Sequence, residues 1–316
     1  MLQAPSIGHM NYIATSLNLL NSHAIQRIGT QTDILGECPL WDGISKCLYW
    51  VDIRRPAIRR LNYASGEVNT WTMQELVGSI ALVDDGRLLV AMPSQIALFD
   101  PVNGELSPFV SSLSMPEGHR FNDGRCDSRG RFWVGSMHNI TRAPEGTLFF
   151  LEGRGPLKAV RHGISIPNSL AFSPNGDTLY FADSLHYRIY SHPYTPETGH
   201  MGEAQVFAES VPPAFPDGSA VDAEGFIWNA EFNGGRLLRY APDGSLDRVI
   251  DLPVDRPTCC AFGGPDLDIL YITSTSQNMS EPELLANPMA GSLMAIYPGV
   301  RGLEEPRFSL EGPRAR

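Results

Sequence analysis

Leu48-Tyr49-Trp50-Val51-Asp52 is a short apolar and aromatic run that follows a polar turn, Asp42-Gly43. The same unit returns along the chain. Asp85-Gly86 precedes Leu88-Leu89-Val90-Ala91, and Arg129-Gly130 precedes Phe132-Trp133-Val134-Gly135. Asn175-Gly176 precedes Leu179-Tyr180-Phe181-Ala182, and Glu224-Gly225 precedes Ile227-Trp228-Asn229. A sixth copy, Leu270-Tyr271-Ile272-Thr273, follows Asp266-Leu267-Asp268 with no glycine in that turn. Between the first residues of these runs the spacings are 40, 44, 47, 48 and 43 residues. Six copies at this period match the four-stranded blade of a β-propeller.

Further strands fit the same frame. Third strands are expected at 58–63, 96–100, 147–151, 188–190, 237–240 and 293–297, with a fourth such as 247–252. The segment 280–290 carries Pro282 and Pro288 and reads as a loop with at most one helical turn. The fold class expected is all-β, a six-bladed β-propeller with a central channel, in a single domain over residues 24–312. A β-sandwich lacks this period, and a TIM barrel alternates strands with helices. A closed ring needs one chain end to complete a blade begun by the other, and 24–29 is the N-terminal candidate. Residues 1–23 read as a disordered extension or a cloning remnant.

Composition agrees. Thirty glycines and 25 prolines in 316 residues favour turns over long helices. The net charge of -11 and the absence of a basic block argue against nucleic acid and anionic membrane surfaces as partners. No apolar run reaches the roughly 18 residues of a membrane span. Five cysteines with no C-x-x-C spacing read as reduced, buried thiols of a cytoplasmic protein. The oligomeric state leaves no mark in the sequence.

Ten or eleven residues before each run lies the start of a blade's innermost strand, which lines the channel. Those positions hold Glu37, Val77 or Gly78, Asn122, Asn168, Asp217, and Cys259 or Cys260. Glu37, Asn122, Asn168 and Asp217 should therefore converge at one end of the channel. Two carboxylates in a confined space repel and lose hydration. A divalent cation relieves both, and oxygen-only ligands favour a hard or borderline ion. Arg120 shares a strand face with Asn122 by the period of two, although an ion pair with Asp123 or Glu117 would also account for it. None of the eight histidines lies in an H-x-x-x-H pattern; His138 alone is placed to enter a loop over the channel mouth. No G-x-S-x-G elbow is present.

At these residues the chain resembles the gluconolactonase, regucalcin and luciferin-regenerating enzyme family. The resemblance is carried by Gly36-Glu37-Cys38-Pro39-Leu40-Trp41, Arg120-Phe121-Asn122-Asp123-Gly124, Ile166-Pro167-Asn168-Ser169-Leu170, Pro216-Asp217-Gly218 and Cys259-Cys260-Ala261-Phe262-Gly263-Gly264, in that order. It implies one catalytic divalent metal, calcium, zinc, magnesium, manganese or iron, with Glu37, Asn168 and Asp217 as protein ligands. It also implies Arg120 and Asn122 as substrate contacts. Where relatives carry acidic residues after the strand matching Gly135-Ser136-Met137, this chain has His138-Asn139-Ile140, which makes Asn139 the candidate contact for sugar hydroxyls. The expectation is a metal-dependent sugar lactonase giving an aldonic acid, with a lean toward a pentonolactone, and Asp217 as both ligand and proton acceptor. Two other readings use the same residues: a phosphotriesterase-like metal hydrolase, and a non-catalytic propeller that binds an ion or a protein.

Overall fold

The computed structural model describes residues 24–111, 113 and 115–314; the expected extension over 1–23 lies outside them. Among the described residues, six antiparallel sheets account for all the pairings between strands. Blade 1 is Gly36–Asp42, Cys47–Asp52, Ala57–Asn62 and Val68–Thr72. Blade 2 runs over Ser79–Leu82, Leu88–Met92, Gln95–Phe99 and Leu106–Val110, and blade 3 over His119–Cys126, Phe132–His138, Gly146–Leu151 and Lys158–Ile164. Blade 4 contains Pro167–Phe172, Thr178–Asp183, Arg188–Thr195 and Gln205–Glu209, with His200–Met201 added as a short extra strand. Blade 5 is Phe215–Val221, Ile227–Phe232, Arg236–Tyr240 and Leu246–Asp251. Blade 6 takes Pro257–Gly263, Ile269–Ser274 and Leu293–Ile296 from the C-terminal side and Gln26–Ile28 from the N-terminal side. The ring closes as the sequence requires, with Ile28 opposite Leu293.

Each inner strand touches the next, and that of blade 6 touches that of blade 1. The apolar core divides accordingly into six clusters, one between each pair of neighbouring blades. A sheet covered on both faces needs no polar alternation. That is why Leu48 to Val51 and Leu270 to Ile272 are apolar runs without a break, all buried. Trp50, Trp133 and Trp228 fill these layers rather than forming a binding platform.

Two sequence expectations change. In the turns of blades 1 and 6 the left-handed backbone position is taken by Lys46 (φ 53°) and Leu267 (φ 55°), where blades 2 to 5 use glycine. Gly43 is not the residue that turns the chain. A helix does form, Glu281–Ala286. Pro282 lies in its first turn, where proline loses no hydrogen bond, and Ser280 with Glu283 forms a reciprocal capping box.

The stretch after the last blade strand was not anticipated. It crosses the face opposite the inner-strand starts, pairing Gly302 with Asp222 and Phe308 with Val83. Phe308 is fully buried between blades 2 and 3. Glu305 ion-pairs with Arg125 from the inner strand of blade 3. Only about 10 Å³ remains open there beside Cys38, Asp123 and Cys259. The channel is therefore blocked at this end and approachable from the other.

Candidate active site

The open end of the channel is a cavity of about 280 Å³. Glu37, Arg120, Asn122, Asn139, Asn168 and Asp217 all line it, so the sequence-selected residues share one site. The local cause is a β-bulge repeated at one place in the inner strands. In blades 1, 3, 4 and 5 three steps on the inner strand oppose two on its neighbour, between Glu37 and Leu40, Phe121 and Gly124, Asn168 and Ala171, and Pro216 and Ser219. A bulge re-aims the side chains at its edge. Here those are Glu37, Asn122, Asn168 and Asp217. Blade 2 pairs without a bulge, and its equivalent position is Gly78, where a Cβ would lie 2.2 Å from the Phe121 carbonyl oxygen. Gly218, after Asp217, is similarly pressed on Cys259, whose Sγ would be 2.2 Å from an added Cβ.

A chain of carboxamides fixes the floor. Asn122 Nδ2 donates to Asn168 Oδ1 at 2.7 Å and to the Pro167 carbonyl at 2.9 Å. Asn168 Nδ2 donates to Ser184 Oγ at 2.8 Å, and Ser184 donates on to the Pro216 carbonyl at 2.7 Å. Asn168 is thereby held with its oxygen assigned on one side. Arg120 donates from Nη1 to Asn122 Oδ1 at 2.6 Å and from Nε to Asn139 Oδ1 at 2.9 Å. The ion pair with Asp123 or Glu117 does not form; Asp123 accepts from the Leu170 amide instead, at 2.7 Å. Both Nδ2 hydrogens of Asn122 are thus used inside the protein, while no partner among the described residues takes Arg120 Nη2.

The carboxylates are poorly served. Glu37 accepts one hydrogen bond, from the Cys38 amide at 3.2 Å, and Asp217 accepts none on its carboxylate among the described residues. Burial, then the charge of Asp123, pushes Glu37 up to about 8. Burial, then Glu37 and Asp123, raises Asp217 well above the usual carboxylate range. Burial, then the charge of Arg54, lowers the Arg120 guanidinium to about 10. Two buried carboxylates short of donors, beside a carboxamide oxygen with fixed orientation, make a donor set suited to a divalent cation. Among the described residues no three or more His, Cys, Asp and Glu side chains cluster in a metal-binding arrangement.

His138 does not line this cavity. Its Nδ1 accepts from the Ile140 and Thr141 amides at 3.2 and 3.1 Å, folding the loop that presents Asn139 and Arg142. The sequence reading also missed Arg54, Arg142, Arg256 and Gln277, all lining residues. Arg54, Arg142 and Gln277 follow the second strand of their blades, and that strand ends on the same side as the inner strand begins. Phe215 and Phe232 stack at 4.9 Å and 13° to form an apolar wall. All five cysteines are buried and free. Among the described residues no helix is long and apolar enough to cross a membrane.

The family model described as SMP-30/Gluconolactonase/LRE-like region matches residues 35–276. The 6-deoxy-6-sulfogluconolactonase of Pseudomonas putida is 37% identical over 282 residues, covering 88% of this chain and 96% of that protein. The L-arabinolactonase of Azospirillum brasilense is 34% identical over 281 residues, covering 87% and 92%. The crystal structure of a calcium-binding protein, regucalcin, from Agrobacterium tumefaciens aligns with a TM-score of 0.86 at 32% identity, covering 90% of this chain and 97% of that one.

Proposed function

Because the chain belongs to the SMP-30/Gluconolactonase/LRE-like family, we propose that it is a divalent-metal-dependent hydrolase of sugar lactones, converting an aldonolactone to its aldonic acid. The observation that carries this reading is the pair of donor-starved carboxylates, Glu37 and Asp217, facing one cavity with the oriented carboxamide of Asn168. These three residues would hold the metal. The regucalcin neighbour, described as calcium-binding, and the two relatives named as lactonases support it.

When bound, the cation supplies Lewis-acid polarisation of the lactone carbonyl and makes water a stronger acid. The chain's own residues do the rest. Asp217 accepts the proton of the attacking water and returns it to the ring oxygen as the ester C–O bond breaks. Arg120 offers Nη2 to the oxyanion that develops on the carbonyl oxygen. Asn122 has no free donor; it holds Arg120 against Asn168. Asn139 Nδ2 is left to meet a sugar hydroxyl, since its oxygen is taken by Arg120. The Phe215–Phe232 stack gives the ring an apolar face. A cavity of about 280 Å³ suits one monosaccharide ring.

The test is hydrolysis of pentono- and hexono-lactones beside a phosphotriester, each with and without chelator. Chelator-sensitive opening of a lactone is the result expected. Chelator-sensitive cleavage of the phosphotriester alone would move the site to the phosphotriesterase reading. No rate on either class would leave a binding propeller.

A further inference from the structure

The charge of the cavity does not match a neutral sugar. Four guanidiniums line it, from Arg54, Arg120, Arg142 and Arg256, against two carboxylates, Glu37 and Asp217. The chain as a whole carries -11, so an excess of arginine at this place is not a reflection of composition. A divalent cation on the floor would cancel the two carboxylates and leave the guanidiniums with no counter-charge inside the cavity.

The three outer arginines come from three separate loops at the mouth. Arg54 makes no ion pair among the described residues; it donates from Nε to Gln277 Oε1 at 3.0 Å and from Nη2 to the Asn139 carbonyl at 3.5 Å. Arg256 donates from Nη1 to the Gln277 carbonyl at 3.1 Å. Its one ion-pair partner among the described residues, Glu283, is 3.5 Å away and half exposed, a pairing of small worth. Gln277 is thus clasped between two arginines, and its own amide is anchored on Thr275 Oγ1 at 2.9 Å. Arg142 has neither an ion pair nor a side-chain hydrogen bond among the described residues. It sits on left-handed backbone (φ 55°), in the loop that His138 folds. Arg54 and Arg142 are close enough to repel: burial and the charge of Arg142 lower the Arg54 guanidinium. Like charges held together on preset loops, with one half-exposed carboxylate at their outer edge and none among them, form a receptor for an external anion.

We propose that the lactone opened here carries a fixed anionic group, a sulfonate, carboxylate or phosphate, on the carbon farthest from the carbonyl. Arg54, Arg142 and Arg256 bind that group at the mouth while the carbonyl rests on the floor by Arg120. This rests on the lactonase reading and adds the substrate's charge to it. Arg120 belongs to the reacting end; the other three set specificity.

The experiment measures kcat/KM for glucono-1,5-lactone and for its 6-phospho, 6-sulfo and 6-carboxylate counterparts, with the wild-type metal-loaded protein and with Arg54→Gln, Arg142→Gln and the double variant. At least one anionic lactone should exceed the neutral one by about tenfold or more. The substitutions should cut that ratio by about tenfold, mainly through KM, and added salt should cut it too. Equal kcat/KM for neutral and anionic lactones, or an unchanged ratio in the double variant, would overturn the proposal while leaving the lactonase intact. Absence of hydrolysis on every lactone would remove the lactonase reading instead. Calorimetry of 6-phosphogluconate against gluconate then decides the anion site by itself: tighter binding of the phosphorylated acid, lost in the double variant, sustains it, and equal affinity overturns it.

Discussion

Asn122 reaches across from the inner strand of blade 3 to that of blade 4 and donates to Asn168 Oδ1 at 2.7 Å. With Ser184 Oγ accepting from the other end of the Asn168 carboxamide, the oxygen of Asn168 has only one orientation that satisfies both neighbours. Partners that orient a ligand typically contribute 10–100-fold in metal affinity. Asn122→Ala should weaken divalent-ion binding by about that factor, and Ser184→Ala by a comparable factor. Calorimetric titration of the metal-free variants checks this; unchanged affinity in both would show that Asn168 needs no orientation.

Burial, then Glu37 and Asp123, raises Asp217, and burial, then Asp123, raises Glu37, so the folded metal-free chain works against itself at this point. Asp217→Asn removes one charge while keeping the shape. The metal-free variant should melt higher than the metal-free wild type, and the variant should lose nearly all metal-dependent activity. Scanning calorimetry and a metal assay on the same sample give both numbers. A lower melting temperature with full metal occupancy would contradict the assignment.

The pH dependence has a definite sign. Glu37 rises from 4.5 to about 8 on folding, so the folded chain holds more protons than the unfolded one across that window. Unfolding free energy of the metal-free protein should therefore fall as pH rises from the ordinary carboxylate range toward about 8. A cation competes with those protons and binds the folded state, so the stabilisation it confers should grow over the same interval. Melting curves with and without saturating divalent ion, at about pH 6 and pH 8, test this. A metal-induced shift that shrinks toward alkaline pH would refute it.

Away from the site, Asp222 is a structural hub. Its carboxylate accepts from Trp228 Nε1 at 3.0 Å, from Arg239 Nε and Nη2 at 2.9 and 2.7 Å, and from the Glu224 and Phe226 amides. Asp222→Ala leaves Arg239 buried with only peripheral acids, at a cost of about 3–5 kcal/mol. Denaturant unfolding should show that loss with the metal affinity of the remaining folded protein unchanged. A variant as stable as wild type would remove Asp222 from this role.

Ring closure gives a fourth stability test. A chain beginning at Gly29 lacks the strand Gln26–Ile28 and exposes the edge Leu293–Ile296 of blade 6. It should melt lower and aggregate through that edge, whereas a chain beginning at Ala24 should behave as the full chain does. Equal behaviour of the two would show that closure does not depend on this strand.

The fold was readable because a propeller repeats one physical requirement six times. Each second strand is buried on both faces, so Leu48–Val51 and its counterparts stand out as apolar runs, and their common spacing locates the inner strands. The bulge that aims Glu37, Asn122, Asn168 and Asp217 falls at a fixed offset from those runs, so these residues were readable too. What escaped has no repeat behind it. Phe308 and Glu305 are fixed by long-range partners, Leu82, Val83 and Phe109 for the first and Arg125 for the second, in a segment with no periodic pattern. Arg54, Arg142 and Arg256 sit on loops that differ in length from blade to blade, so their convergence depends on the third dimension. Lys46 and Leu267 adopt a backbone conformation that glycine would have announced.

The claim that joins these observations is that one cation, held by Glu37, Asn168 and Asp217, makes this chain a lactonase. The direct test is to strip the protein with chelator and titrate a divalent ion back while recording the initial rate of lactone opening above the spontaneous rate. The account predicts negligible rate at the start, a linear rise, and a plateau at one ion per chain, with no rise in Asp217→Asn. A stripped protein that opens the lactone at the full rate, or a restored rate that survives Asp217→Asn unchanged, would contradict it.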